Sequence, residues 1–210
     1  DKNAGAGNKT IAVGNAVGGA NTSLTNYNIT YTNSTTSTIT TKTLTVTATN
    51  QTKTYDGGTG VASNTAFTTS GLVGNETISS VTLAYTDKNA GAGNKTISIT
   101  NATGDANTSV TNYNITYVNA TGSTINTKAL TVTAGAQTKT YDGNTNVASN
   151  TAYNVTGLVA NETISSVTLA YTDKNAGAGN KTIAVTNATG DANTSVTNYN
   201  ITYVNSTAST

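Results

Sequence analysis

Threonine and apolar residues alternate along much of this chain, with a period of two. In TLTVTA, Leu44, Val46 and Ala48 fall on one side and threonines on the other. SVTLAYT aligns Val81, Leu83 and Tyr85, KTISIT aligns Ile97 with Ile99, and NYNITYV aligns Tyr113, Ile115 and Tyr117. This is the pattern of strands with one buried face, written in the Thr, Val, Ile and Tyr that strands favour. No stretch carries a helical stripe of useful length. Turn residues separate the strands: Asp56-Gly57, Asp142-Gly143, the glycine-rich NAGAG at 89–93, and TGDAN at 103–107. The spacing predicts an all-β chain built of small sandwich-like units.

The pattern also recurs. DKNAGAGNKTI begins at Asp1, Asp87 and Asp173, and NYNITY begins at Asn26, Asn112 and Asn198, an offset of 86 each time. Residues 87–124 and 173–210 agree at 34 of 38 positions. A period this long exceeds the roughly 20–50 residues of a solenoid coil, so each period reads as one small domain in an elongated tandem array. Boundaries fall near Lys42 and Lys128. Residues 1–42 are then the end of a first repeat, 43–128 a complete second and 129–210 a nearly complete third. The joint TINTKALTV has neither Gly nor Pro and predicts a short, stiff connection. The chain opens and closes inside a period and does not start with Met, so it reads as a window on a longer array.

TKTYDG occurs at 52–57 and again at 138–143. Asp56-Gly57 and Asp142-Gly143 supply the turn. Tyr55 and Tyr141, just before it, are expected to pin the end of a strand to the core. The tyrosine pairs Tyr27/Tyr31, Tyr113/Tyr117 and Tyr199/Tyr203 share a strand face at i, i+4. Core packing is their expected role, with a carbohydrate-binding ladder as the alternative, because Leu, Ile, Val and Phe together make only 35 of 210 residues.

Composition narrows the chemistry. Thr, Asn and Ser make up nearly half the chain, and Cys, His, Met, Trp, Pro and Arg are absent. Without His or Cys there is no ordinary base near neutral pH and no soft-metal ligand, so neither an enzyme nor a cofactor is expected. A net charge of +1 argues against nucleic acid as a partner. No apolar run approaches the roughly 18 residues that would span a bilayer. Missing cysteines suit both export in an unfolded state and the cytosol.

Three motifs compete with ordinary surface roles. Asn-x-Ser/Thr sequons number 18: Asn8, Asn21, Asn28, Asn33, Asn50, Asn75, Asn94, Asn101, Asn107, Asn114, Asn119, Asn154, Asn161, Asn180, Asn187, Asn193, Asn200 and Asn205. Chance at this composition gives about nine, the sequon being a pattern for surface glycosylation. Asn/Thr-rich turn and strand-edge chemistry is the preferred account, and N-glycosylation of some sites the alternative. Asp87, Asn89 and Asn94 lie together as in a calcium loop, but one carboxylate is too few. Lys53 or Lys139 with Glu76 or Glu162 is the pairing an isopeptide bond needs, set against ordinary solvated charges.

LTVTA, KTYDG, GLV with GNE, DKNAGAGNKTI and TGDANTSVTNYNITY, in that order, resemble the YDG repeat domains of large bacterial surface exoproteins. The resemblance covers nearly the whole chain. This sequence departs from it at Gly58 and Asn144, at Asn75-Glu76, at Asn114-Ile115 and at Gly19. The resemblance implies a secreted or surface-anchored array of the filamentous-haemagglutinin type, acting as a stalk or spacer in an adhesin. Its expected partners are neighbouring repeats of the same chain, identical chains in a fibre, and host or matrix glycans. A self-assembling extracellular filament or sheath is the second reading, and a lectin-like module using the tyrosines the third.

Overall fold

The structure, a computed structural model, describes residues 1–210 and is nearly all β. Strands β1 (Gly5–Ile11) and β2 (Ser34–Ile39) precede the first complete period. That period supplies β3 (Lys42–Ala48), β4 (Thr52–Thr54), β5 (Phe67–Ser70), β6 (Ile78–Tyr85), β7 (Gly91–Gly104), β8 (Tyr113–Val118) and β9 (Ala120–Asn126). The next supplies β10 (Lys128–Ala134), β11 (Tyr153–Thr156), β12 (Ile164–Tyr171), β13 (Lys181–Gly190), β14 (Tyr199–Val204) and β15 (Ser206–Ser209). Single 3-10 turns at Leu24–Asn26, Val110–Asn112 and Val196–Asn198 complete the elements.

The chain packs as two compact units. One gathers Asp1–Ala48, Phe67–Thr82 and Ile99–Val118; the other gathers Thr49–Ala66, Leu83–Ser98 and Asn119–Thr210. The division follows packing and not the 86-residue period. It runs through β6 and β7, and it groups the arm at 49–66, the hairpin at 83–98 and β9 with the period that follows them.

In the second unit, β10 lies between β11, antiparallel, and β14, parallel. A second sheet runs β12-β13-β15. The alternation explains what sits between the sheets, since residues i and i+2 share a face. Val132 and Ala134 of β10 meet Leu169 and Tyr171 of β12 and Ile183 and Val185 of β13. Half-buried Tyr153, Val155 and Ile201 close the edges of this core. Apolar residues are few, so tyrosine carries part of the interior and needs a partner for its hydroxyl. Tyr171 donates to the carbonyls of Gln137 and Thr210, both at 3.0 Å, tying the arm after β10 to the end of the chain. Tyr85 does the same with Gln51 and Thr124.

The first unit repeats the first of these sheets. There β3 lies between antiparallel β5 and parallel β8, with Leu44 opposite Ile115 as Leu130 is opposite Ile201. Leu44 and Val46 are fully buried. β1 pairs with β2. Within β7 and β13, Asn101 and Asn187 each take φ of 53°, a left-handed conformation that asparagine tolerates. The register of β12 against β13 shifts at this point: Ser166 is opposite Thr189 and Thr168 opposite Thr186, with Asn187 between them, as at a β-bulge.

Two expectations about tyrosine need correction. Tyr113 and Tyr199 are buried, but Tyr117 and Tyr203 are more than a third exposed, and Tyr27 and Tyr31 are exposed as well. Tyr117 and Tyr203 lie farther along β8 and β14, where their hydroxyls accept from the backbone N–H of Ala102 and Ala188, whereas Tyr27 and Tyr31 fall outside any strand, and Tyr31 accepts from the Ala16 N–H. The second correction concerns Tyr55 and Tyr141, which do not share one environment.

Candidate functional site: a tyrosine–glutamate contact between repeats

Tyr55 is 2% exposed, and its partners come from the following period. Within the second unit, its phenol donates to Oε1 of Glu162 while the phenol of Tyr199 donates to Oε2. The two rings meet edge to face, with centroids 5.5 Å apart and planes at 80°, the geometry their quadrupoles favour. Glu162 is itself buried. A buried carboxylate is costly unless hydrogen-bonded, and two phenols satisfy it here. Burial, and then the adjacent Glu162, push the Tyr55 phenol up to about 12. The same causes, burial first, raise Tyr199.

Local structure positions each member. Tyr199 follows the 3-10 turn at Val196–Asn198 and begins β14, paired with Lys128 of β10. Its hydroxyl accepts the Val159 N–H at 3.0 Å, fixing the loop that bears Glu162. Tyr55 follows β4 and donates its N–H to the Asn126 carbonyl at 2.8 Å. Gly57 turns the arm with φ of +80°, and a Cβ there would stand 2.7 Å from Val159. Gly57 is therefore required both by its backbone conformation and by the neighbour against it.

A second link lies beside the first. The Asn198 side chain is 1% exposed. It accepts from the Ala90 N–H at 2.8 Å and donates to Asn89 Oδ1 at 3.0 Å. In the first unit, Asn112 makes the same pair of bonds with Ala4 and Asn3, at 2.8 and 3.0 Å. DKNA thus supplies a backbone donor and an asparagine to the NYN of the following period, twice in the chain.

Tyr141 differs. It is 60% exposed, and Gly143, with φ of +79°, has nothing near its Cβ position. The Asp-Gly turn itself is the same in both copies. Lys53 bridges Asp56 and the Gly58 carbonyl at 2.7 and 2.8 Å, and Lys139 bridges Asp142 and the Asn144 carbonyl at the same distances. Burial pushes the Asp56 carboxyl up, but hydrogen bonds from Lys53 and the Gly58 N–H outweigh it and hold the group below the usual carboxylate range. Asp142 is held down first by its bond from Lys139.

Lysine and glutamate are therefore not brought together as isopeptide partners. Lys53 and Lys139 are engaged by aspartates, Glu162 by two phenols, and Glu76 by Tyr113. Asp87 is taken by Lys95 and by the N–H groups of Asn89, a hairpin arrangement in place of a cation loop. All eighteen sequon asparagines are exposed. Some serve as acceptors: Asn50 for the Gly122 N–H at 3.0 Å and Asn205 for the Val185 N–H at 3.3 Å.

A family profile described as YDG domain matches residues 40–121 and 126–208. No match was found among curated proteins or solved structures.

Proposed function

The chain belongs to the YDG domain family, carrying two copies in tandem, and on that premise we propose that it is a spacer segment in the stalk of a secreted or surface-anchored bacterial adhesin. The observation that supports this reading is the contact of Tyr55 with Glu162 and Tyr199. The tyrosine and glycine of the signature hexapeptide are spent on holding the next repeat, a use that suits a chain whose task is concatenation. Only Thr127 separates β9 from β10, so neighbouring repeats are joined by a short covalent link as well as by the buried contact. An extended array of such repeats sets a distance, without catalysis and without a private ligand in any one repeat. Its Asn- and Thr-rich surface suits the outside of a cell and weak adhesion to most molecules, with glycans on exposed sequons as a further feature of that setting. Neighbouring repeats are its principal partners.

The test is an in-frame deletion of one 86-residue period in the parent gene. The expected result is a surface fibre shorter by one repeat, seen by electron microscopy, with surface display and adhesion retained. Loss of a specific ligand affinity on deletion, or confinement of the protein to the cytoplasm, would overturn the reading.

A further inference from the structure

The hexapeptide carries a chemical hazard that the fold cannot avoid. In an Asp-Gly step the glycine amide nitrogen can attack the side-chain carboxyl carbon and close a succinimide ring, and glycine has no Cβ to hinder the approach. Gly57 and Gly143 hold φ of 80° and 79°, a region that L side chains rarely enter. At Gly57 a Cβ would also stand 2.7 Å from Val159. Asp56 and Asp142 each accept the N–H two residues on, from Gly58 at 2.9 Å and from Asn144 at 3.1 Å. The aspartate therefore closes the turn that the glycine makes, and neither residue is free to change.

Both copies meet the hazard in the same way. Oδ1, the oxygen that accepts this N–H, also accepts from the lysine three residues earlier, Lys53 or Lys139, at 2.7 Å. The same ammonium donates to the Gly58 or Asn144 carbonyl at 2.8 Å and lies 5.4 or 5.5 Å from the ring centre of Tyr85 or Tyr171. One largely buried cation thus pins both the carboxylate and the backbone just beyond the reactive bond. Lys88 and Glu162 line the same groove as Asp56, and at Asp142 the facing charge is Lys139. The arrangement is the same where the adjacent tyrosine is buried and where it is exposed, so it is built within the hexapeptide and its turn.

We propose that Asp56 and Asp142 are latent sites of isoaspartate formation, and that Lys53 and Lys139 hold them in check. Ring closure forms the bond from the glycine nitrogen to Cγ and breaks a Cγ–O bond, and the amide hydrogen leaves with the carboxyl hydroxyl as water. Water then reopens the imide. Opening at the former backbone carbonyl leaves the chain running through the aspartate side chain, with no net change in mass. The neutral acid is the reactive form, because a carboxylate would have to expel oxide. An ammonium against Oδ1 keeps the group ionised, and both carboxyls are held below the usual range. Bringing Cγ onto the glycine nitrogen also disturbs both bonds to Oδ1. Isomerisation at Asp56 lengthens the backbone by one methylene between Tyr55 and Gly57. It would shift Gly57 against Val159 and loosen Tyr55 on Glu162, so the contact between successive repeats ages at this bond. The inference stands whether or not the array is a surface stalk.

The test is prolonged incubation of the folded 210-residue chain, with isoaspartate located by peptide mapping and quantified with an isoaspartyl methyltransferase. Near neutral pH, Lys139→Gln should raise the rate at Asp142 about threefold or more, the gain in neutral acid when a carboxyl's value rises by about half a pH unit. Asp56, with its bridge intact, is the control within the same molecule and should keep its parental rate. Lys139→Arg, which returns a cation, should restore protection. Loss of the ion pair also moves the decline in rate with rising pH to higher pH, whereas a merely loosened turn speeds the reaction by one factor throughout. The parent reports even if Lys139→Gln does not fold: its Asp142 should isomerise more slowly than the same residue in the free peptide QTKTYDGNTNV, residues 137–147. An unchanged or slower rate at Asp142 in Lys139→Gln, a rise by one factor at every pH, or equal rates in chain and peptide would overturn the proposal.

Discussion

Tyr55-Asp56-Gly57 and Tyr141-Asp142-Gly143 are identical in sequence, in turn geometry and in their lysine bridges. One tyrosine is 2% exposed and the other 60%. Turn and ion pair are therefore local properties, set by neighbours three residues away. Burial is a property of the repeat that follows, whose nearest contact residue to Tyr55, Glu162, is 107 positions further on. The hexapeptide is thus a connector whose energetic value depends on what comes next in the chain.

Replacing the tyrosines tests this most severely. Tyr55→Ala removes a buried ring and leaves Glu162 short of a donor, and should cost about 3–5 kcal/mol, as for large-to-small changes of buried aromatics. Tyr141→Ala should stay within about 0.5 kcal/mol, the usual range for surface positions. Chemical denaturation midpoints of the two variants give the comparison directly; equal losses would remove the distinction. Next in size is the carboxylate. Glu162→Gln should cost about 1–3 kcal/mol, the range for disturbing a buried charged hydrogen bond. Glu76→Gln, at a half-buried site with a single phenol bond, should cost less by the same measurement.

Alkaline titration sharpens the contrast further. The Tyr55 phenol is pushed up to about 12 in the folded chain, against 10 for an unperturbed tyrosine. A raised value means that the folded state holds its proton more tightly. The resulting stabilisation is complete below pH 10 and is lost as the pH climbs toward about 12. Denaturation midpoints between those limits should fall less steeply in Tyr55→Phe than in the parent. The smallest effect concerns the aspartates. Asp56→Asn and Asp142→Asn each disturb a lysine pair with a half-exposed carboxylate, and each should shift stability only slightly, as solvent screens such pairs. The two shifts should match, because this part of the motif is local.

Much of the fold was legible in the chain. Alternation located β3, β6 and β10, and the Asp-Gly turns fell between strands, because both signals arise from neighbours within a few residues, whereas the glycine-rich stretch 89–93 is a turn only in part, Gly91–Gly93 already belonging to β7. The family signature was equally readable, being a string of local motifs. The destination of Tyr55 was not. Alternation says which face of a strand is apolar and nothing about which repeat supplies the opposing surface. A trace of the answer was present: Glu76 and Glu162 recur one period apart in NETISS with no lysine close by in sequence, and an acid without a cation invites another donor. The exposure of Tyr117 and Tyr203 escaped notice for a related reason. Period two predicts that i and i+4 share a face, but not that the facing layer extends far enough to cover both.

The parallel pairing of β10 with β14 has a mechanical consequence. Their register runs from Lys128 opposite Tyr199 to Thr133 opposite Val204. A pull applied upstream of Lys128 and downstream of Val204 drags the two strands past each other lengthwise. In that shearing geometry the bonds of the ladder share the tension and break together, whereas strands peeled sideways release them one at a time. The same register recurs between β3 and β8. Each repeat thus carries a clamp between the strand where the chain enters and one close to where it leaves, and stretching the ends is the direction in which that clamp is strongest.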